Sequence, residues 1–360
     1  MLKMASLVKT LEQRAVEHLR RLLSDVPTIE IKGIDRRARS NQREIDLVAL
    51  VRVAGRSHSI VCEVKDNGQP RCVRMALLQL QNSIRHVDSP ATPLLIAPYL
   101  SPESQALCRE QGVDFLDFEG NARLVFDGVY VERRVESKPP VARREIKSLF
   151  KPKSAQVLRV LLRDPKRSWR VAELAAAARV SLGHINNVRV GLLDREWARI
   201  EPSGLLLSRP DALLDAWRDA YEPPAGDRLT FYTTLHGAAF DAAARHALGV
   251  ADGHDQVMFA SFSAAQWLAP YARVGTHFFY ANQAGLNKLQ QQLALSSPIK
   301  GENVIVTRLD HDELFRDAVE PAAGIGCTSP VQTYLDLTAS GERGREAAEF
   351  LRREKLQWSE

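Results

Sequence analysis

The chain opens on a helical pattern. Between residues 5 and 23 the apolar positions Val8, Leu11, Ala15, Leu19 and Leu22 recur at three- and four-residue steps, which lays one stripe along a helix. The pattern then changes. Residues 29–34 (IEIKGI), 45–53 (IDLVALVRV) and 58–65 (HSIVCEVK) are rich in β-branched residues and predict strands. A second helix is predicted over about 73–87 and a buried strand over PLLIAPYL. Ser101-Pro102-Glu103 then supplies a cap, a fixed φ and an acid, all favoured at a helix start. VDFLDF and NARLVF are further short strands. Residues 1–137 therefore predict an α/β domain.

Lys138-Pro139-Pro140 punctuates the next boundary. The region 150–222 is mostly helical: SAQVLRVLLR (154–163), then 171–178, then about 182–195 with Ser181 as its N-cap. ARIEPSGLLLSR follows as two short strands around Pro202-Ser203-Gly204. Glu222-Pro223-Pro224-Ala225-Gly226 marks a second boundary. Residues 227–360 contain LTFYTTL, HFFYAN and NVIVTRL and end in a helix at about 344–355, so this region also reads as α/β.

Composition narrows the class. Of 360 residues, 45% are hydrophobic and 26% charged, a globular mix that excludes a disordered chain, a collagen and a small disulfide scaffold. No run approaches the roughly 18 apolar residues of a membrane helix. The first residues carry Glu12 and Glu17, unlike a secretory signal. Cys62, Cys72, Cys108 and Cys327 show no CxxC spacing, which fits free thiols in a reducing cytoplasm. The net charge of +5 hides an asymmetry: residues 132–170 hold 13 lysines and arginines against 4 acids, whereas residues 227–360 hold 12 against 16. A block so basic is either a polyanion contact or a solvated linker.

The β-rich stretches carry the first candidate chemistry. If Ala54 and Gly55 form a two-residue turn, Val53 pairs with Arg56 and, counting outward, Asp46 pairs with Glu63. Opposed residues share a face, and Lys65 leaves the same face as Glu63. Two close carboxylates need a counter-charge. Magnesium, which favours one or two carboxylates with water and phosphate oxygens, would supply it. Lys65 could then orient the attacking water or offset charge on the phosphate. Glu12 lies beside the apolar stripe of the first helix, where it either joins this site or reaches water at the stripe's edge, while Glu17 faces solvent. The same acids and lysine would also serve as a surface salt-bridge cluster.

A helix with an inward Glu12, then Asp46, then Glu63-Val64-Lys65 resembles the PD-(D/E)XK nuclease superfamily. The resemblance covers residues 1–137 and implies a restriction-endonuclease-like fold. It also implies Asp46 and Glu63 as magnesium ligands, Lys65 assisting the attacking water and Glu12 as a further acid. Members of that superfamily cleave DNA phosphodiesters or keep the fold for binding alone.

The three helices and hairpin of 150–222 resemble the winged helix-turn-helix of bacterial regulators. On the third helix Ile185, Val188 and Leu192 form the buried stripe. Gly183, Asn186, Asn187 and Val190 lie opposite, with His184 and Arg189 near the edges. That face would enter the major groove of double-stranded DNA, where asparagine can read adenine. Arg167, Arg170, Arg199 and Arg209 are phosphate candidates. The alternative is a winged helix used for protein contact.

The third region has scattered histidines (His236, His246, His254, His277, His311) without metal spacing. Its tract from Cys327 to Leu337, with Gly341-Glu342-Arg343-Gly344 and the helix after it, resembles AbiEi-type antitoxins. Phe118-Glu119-Gly120-Asn121-Ala122 also looks like regulators of that group, and more simply like a turn. The resemblance implies a repressor of its own operon, opposite a nucleotidyltransferase-like toxin. The Glu-x-Lys hairpin in front departs from the commoner antitoxin pattern. Two functions follow: a DNA-binding transcriptional regulator with a nuclease-like domain, or a magnesium-dependent DNA endonuclease targeted by its winged helix. A homodimer reading paired half-sites is compatible with either.

Overall fold

The computed structural model describes residues 2–40, 43–85, 91–135, 139–248, 254–271, 275–297 and 301–358. It divides into two compact units, residues 1–145 with 190–196, and residues 146–189 with 197–360. No helix among the described residues is long and apolar enough to cross a membrane.

The first unit begins with α1 (Leu2–Ser24), β1 (Ile29–Ser40), β2 (Arg43–Val53) and β3 (Arg56–Val64). It continues with α2 (Pro70–Ile84), β4 (Ala91–Ala97), α3 (Pro102–Glu110), β5 (Asp114–Asp117), β6 (Ala122–Phe126) and β7 (Val129–Arg133). The seven strands lie in chain order in one sheet. β3, β4 and β5 run parallel, joined through α2 and α3, and the outer pairs are antiparallel. Ala15, Leu19, Leu22 and Leu23 of α1 pack on one face of the sheet with Leu47, Ala49, Ile60 and Cys62. Val73, Leu77 and Leu80 of α2 and Leu107 of α3 cover the other, against Val61, Leu95 and Phe115. Burial on both faces explains why the middle strands are apolar almost throughout instead of alternating.

The β2–β3 turn falls where the spacing puts it. Ala54 and Gly55 both have positive φ (47° and 82°), as a type I′ hairpin requires. Asp127 and Gly128 repeat that geometry (44° and 82°) between β6 and β7. Strand β7 was not expected, although Asp-Gly is a strong hairpin signal. Ser101 caps α3, accepting from Ser104 N at 3.2 Å. In the Phe118–Ala122 tract Asp117 accepts the backbone N–H groups of Glu119 and Asn121 and the side-chain amide of Asn121. The tract is a turn tied to one buried carboxylate.

The stretch read as a boundary carries a helix, α4 (Pro140–Leu149). Lys138 and the end of the expected second helix, Val87, lie outside the described residues. Next come α5 (Pro152–Arg163), α6 (Val171–Ala178), α7 (Leu182–Asp194), the hairpin β8 (Ala198–Glu201) with β9 (Gly204–Leu207), and α8 (Pro210–Asp219). The remainder contains β10 (Gly226–Phe231), α9 (Gly237–Ala247), β11 (Val257–Phe259), α10 (Ser261–Leu268), β12 (His277–Ala281) and α11 (Gln283–Gln292). It ends with β13 (Val304–Leu309), a 3₁₀ turn (Asp312–Asp317), β14 (Val319–Ala322), β15 (Ile325–Cys327), α12 (Pro330–Thr338) and α13 (Gly341–Lys355). Its strands form one mixed sheet in the order β10-β13-β12-β11-β15-β14. Inside the second unit Arg352 of α13 reaches back to Asp211 and Asp215 of α8, at 2.7 and 2.6 Å.

Candidate functional site

The β2–β3 ladder runs in the register counted from the turn, from Val53↔Arg56 to Leu47↔Cys62, one step short of Asp46 and Glu63. At that step Asp46 Oδ2 accepts the backbone N–H of Val64 at 2.8 Å. The next backbone group, Lys65 N–H, donates to Ile96 O of β4 at 2.9 Å. Three residues later Gly68 comes so close to β4's exit that an added Cβ would lie 2.0 Å from Tyr99 O. Backbone contacts on both sides thus fix the segment carrying Lys65.

Leu11, Glu12, Asp46, Val64, Lys65 and Asp66 line one cavity of about 230 Å³. Glu12 is buried at 7% exposure, and Glu17 is exposed. Glu63 meets the cavity through Lys65, whose Nζ donates to Glu63 Oε1 at 2.6 Å. Burial pushes the Glu63 carboxyl above its usual range; the lysine bond opposes that and nearby Asp46 adds to it. Asp66, which sequence reasoning passed over, has no signal except its place directly after Lys65. Among the described residues no three acidic, histidine or cysteine side chains converge as a metal-binding group. The carboxylates lining the cavity are Glu12, Asp46 and Asp66.

Helix α7 separates its faces cleanly. Ile185, Val188 and Leu192 are buried. Gly183, Asn186, Asn187 and Val190 are exposed, and His184 and Arg189 are half-buried. Ser181 Oγ accepts from His184 N at 3.3 Å and caps the helix. The His184 ring also contacts Ser154 Oγ of α5, at 3.2 Å from Nε2, so it is engaged inside the module. Arg167 lies over the Trp169 ring, 3.7 Å from its centroid. Arg170 is exposed at the start of α6. Arg199 is held by Glu201 of the same strand at 2.9 Å. Trp169 makes an isolated antiparallel bridge to Leu205 of β9. The fit is tight: a Cβ on Gly204 would sit 2.3 Å from Trp169 O, and its φ of 143° favours glycine.

Several side chains of the basic block are paired with acids. Arg133 pairs with Asp25, Arg134 with Glu132 and Lys147 with Glu222. Arg159 and Arg163 both turn to Asp317. Lys166, Arg167 and Arg170 remain exposed beside the hairpin.

The Cys327–Leu337 tract is largely packing. Ser329 caps α12, and Thr328 and Thr333 bond each other at 2.7 Å. At its centre Asp336 accepts from Tyr221, from Tyr280 at 2.9 Å and from Gln332 at 2.9 Å. Burial raises its carboxyl to about 6. Of the scattered histidines, His277 stacks on Phe240 and burial lowers its pKa. The four cysteines are free, three of them buried.

Fold and site define a two-unit α/β protein. Residues 152–207 form three helices and a short hairpin, ahead of a mixed sheet. Residues 206–357 match the family described as transcriptional regulator, AbiEi antitoxin, type IV TA system. The match runs from the end of the hairpin through α13. Among solved structures the chain is similar to a repair endonuclease from Pyrococcus abyssi, at 15% identity, 28% of this chain, 46% of that one and a TM-score of 0.22. It is also similar to EndoMS in its apo form, at 14% identity, 29% of this chain, 45% of that one and a TM-score of 0.21. The similarity spans under half the length of those two proteins. No curated protein matches the chain.

Proposed function

We propose that the chain is a DNA-binding transcriptional regulator of the AbiEi antitoxin type. In this reading residues 1–137 form a restriction-endonuclease-like domain, 150–222 a winged helix-turn-helix and 227–360 the AbiEi-type domain. The observation that carries it is α7. Its apolar stripe is buried and its opposite face presents Gly183, Asn186, Asn187 and Val190, directly ahead of the matched regulator domain. Asn186 and Asn187 read base edges, while Arg167 and Arg170 contact phosphate and fix the docking. Arg189 sits at the edge of the reading face. His184 and Arg199, which have partners inside the module, contribute less. The family description supplies a toxin as the second partner, of the nucleotidyltransferase-like kind implied by the resemblance, and a homodimer would place two α7 helices on paired half-sites.

The test is an electrophoretic shift with the DNA upstream of the chain's own gene across a salt series. Tight binding to one site, steeply weakened by salt and lost in Asn187→Ala, supports the reading. Equal affinity for unrelated DNA overturns it.

A second reading, a magnesium-dependent DNA endonuclease, is favoured by one observation: Glu12, Asp46, Lys65 and Asp66 line one cavity. Asp46 and Glu63 would hold the cation. Bound there, magnesium would polarise a phosphate oxygen and lower the pKa of a water. Lys65 would orient the attacking oxygen, and Glu12 would balance charge. Incubation with supercoiled and linear DNA, with magnesium or EDTA, beside Glu63→Ala, tests it. Cleavage that needs metal and is lost in the variant supports it, and intact DNA throughout overturns it.

A further inference from the structure

A second cavity, of about 250 Å³, lies wholly within the second unit. α4, α5 and α8 wall one side, and the segment after α8, β13, the 3₁₀ turn and α12 wall the other. Its wall is mainly apolar, with Phe150 and Trp217 stacked almost parallel (4° between planes, centroids 5.7 Å apart). Pro152, Pro223 and Pro224 add flat, rigid surface. A flat apolar body fits such a wall with little loss of side-chain freedom.

The charges in the wall do not cancel. Lys147 is matched by Glu222 at 2.6 Å, which leaves Lys151 and Arg159 facing only Glu313 among the wall residues. Lys151 is exposed and makes no ion pair among the described residues. Arg159 is 8% exposed. Among the described residues its ion pair is a loose one, 3.7 Å to Asp317, a carboxylate already bound by Arg163, with Asp336 and Glu313 acting on it only electrostatically. Arg159 Nη1 is buried with no hydrogen-bond partner among the described residues. Across the same wall the side-chain amide N–H groups of Gln332 are both used, donating to Tyr221 and Asp336. A buried guanidinium with an unused donor is costly unless something accepts from it.

We propose that this cavity is a binding site for a small aromatic carboxylate, its ring against Trp217 and Phe150 and its anion toward Arg159 and Lys151. Because both walls belong to one packed unit, the ligand also raises that unit's stability.

The experiment uses the full chain and two probes of equal shape, 2-naphthoate and the neutral 2-naphthamide, read by calorimetry. The carboxylate is expected to bind saturably and about tenfold more tightly than the amide, the worth of one charge-assisted hydrogen bond. Lys151→Glu, on an exposed side chain, is expected to weaken the carboxylate severalfold without affecting the fold. Ala155→Met, which fills the cavity, is expected to abolish binding, with circular dichroism as the folding control. Equal binding of the two probes overturns the proposal. So does binding that ignores Lys151→Glu, which keeps the test decisive if Ala155→Met fails to fold. Absence of saturable binding at millimolar probe also overturns it, and the cavity then holds only water bridging groups such as Arg159 Nη1.

Discussion

Asp46 accepts the backbone N–H of Val64 at 2.8 Å, so one carboxylate both closes the β2–β3 ladder and lines the cavity that Lys65 and Glu12 share. The two roles separate by substitution. Asp46→Asn keeps an oxygen for Val64 and removes the charge, whereas Asp46→Ala removes both. The alanine variant should be less stable than the asparagine variant by about 1 kcal/mol in urea unfolding, one part-buried hydrogen bond. If the cavity cleaves DNA, both should lose metal-dependent activity by about a hundredfold or more. An asparagine variant with undiminished cleavage would remove Asp46 from the site.

Glu63 and Lys65 depend on each other. Burial already pushes the Glu63 carboxyl upward and the lysine restrains it. Lys65→Met strands a part-buried carboxylate and should cost about 1–3 kcal/mol. Adding Glu63→Gln removes the stranded charge, so the double variant should be more stable than the sum of the single effects implies. A double-mutant cycle by chemical denaturation measures this. A coupling near zero would mean that the pair is a solvent-screened contact.

The exposed face of α7 makes a graded prediction about DNA. Asn186→Ala or Asn187→Ala should cost about 1–3 kcal/mol on a cognate site and relax its sequence preference. Arg170→Ala should weaken all DNA alike and reduce the salt slope by about 1. Arg199→Ala should do little, because Glu201 already holds that guanidinium. Fluorescence anisotropy across a salt series separates the three. An Arg199 effect as large as that of Arg170 would mean that the Glu201 pair opens on binding.

What was legible in the sequence is what local pattern dictates. The Ala54-Gly55 turn fixed the β2–β3 register by counting, and the stripe of Ile185, Val188 and Leu192 fixed which side of α7 is buried. In the connection before α7 Arg179 carries a left-handed φ of 51°, a position where glycine is the usual signal. Illegible were features that depend on distant partners. No local pattern says that Arg159 and Arg163 leave the basic block for Asp317, 158 and 154 residues ahead in the first residue's numbering and the second's. The same holds for the gathering of Tyr221, Tyr280 and Gln332 around Asp336. Asp66 was missed for the opposite reason: an exposed acid after Lys65 looks like any solvated residue.

Asp336 makes stability depend on pH in a stated direction. Burial raises its carboxyl from 3.8 to about 6, against the pull of Tyr221, Gln332, Tyr280 and Arg159. A folded-state value above the unfolded one means that the folded chain holds the proton more tightly. The stabilising contribution is complete below the unfolded value and is lost as pH rises through about 6. Asp114, raised to about 6 by burial in the first unit, adds the same trend. Between pH 4 and 6 Asp336 should therefore lower stability by at most about 1.4 kcal/mol per pH unit. Asp336→Asn retains an oxygen for the three donors but has no proton to lose. Its stability should fall less steeply over that range, with the remaining slope belonging to Asp114 and other acids. Parallel pH profiles for the two proteins, measured by denaturant unfolding, would show that Asp336 titrates alike in the folded and unfolded chains.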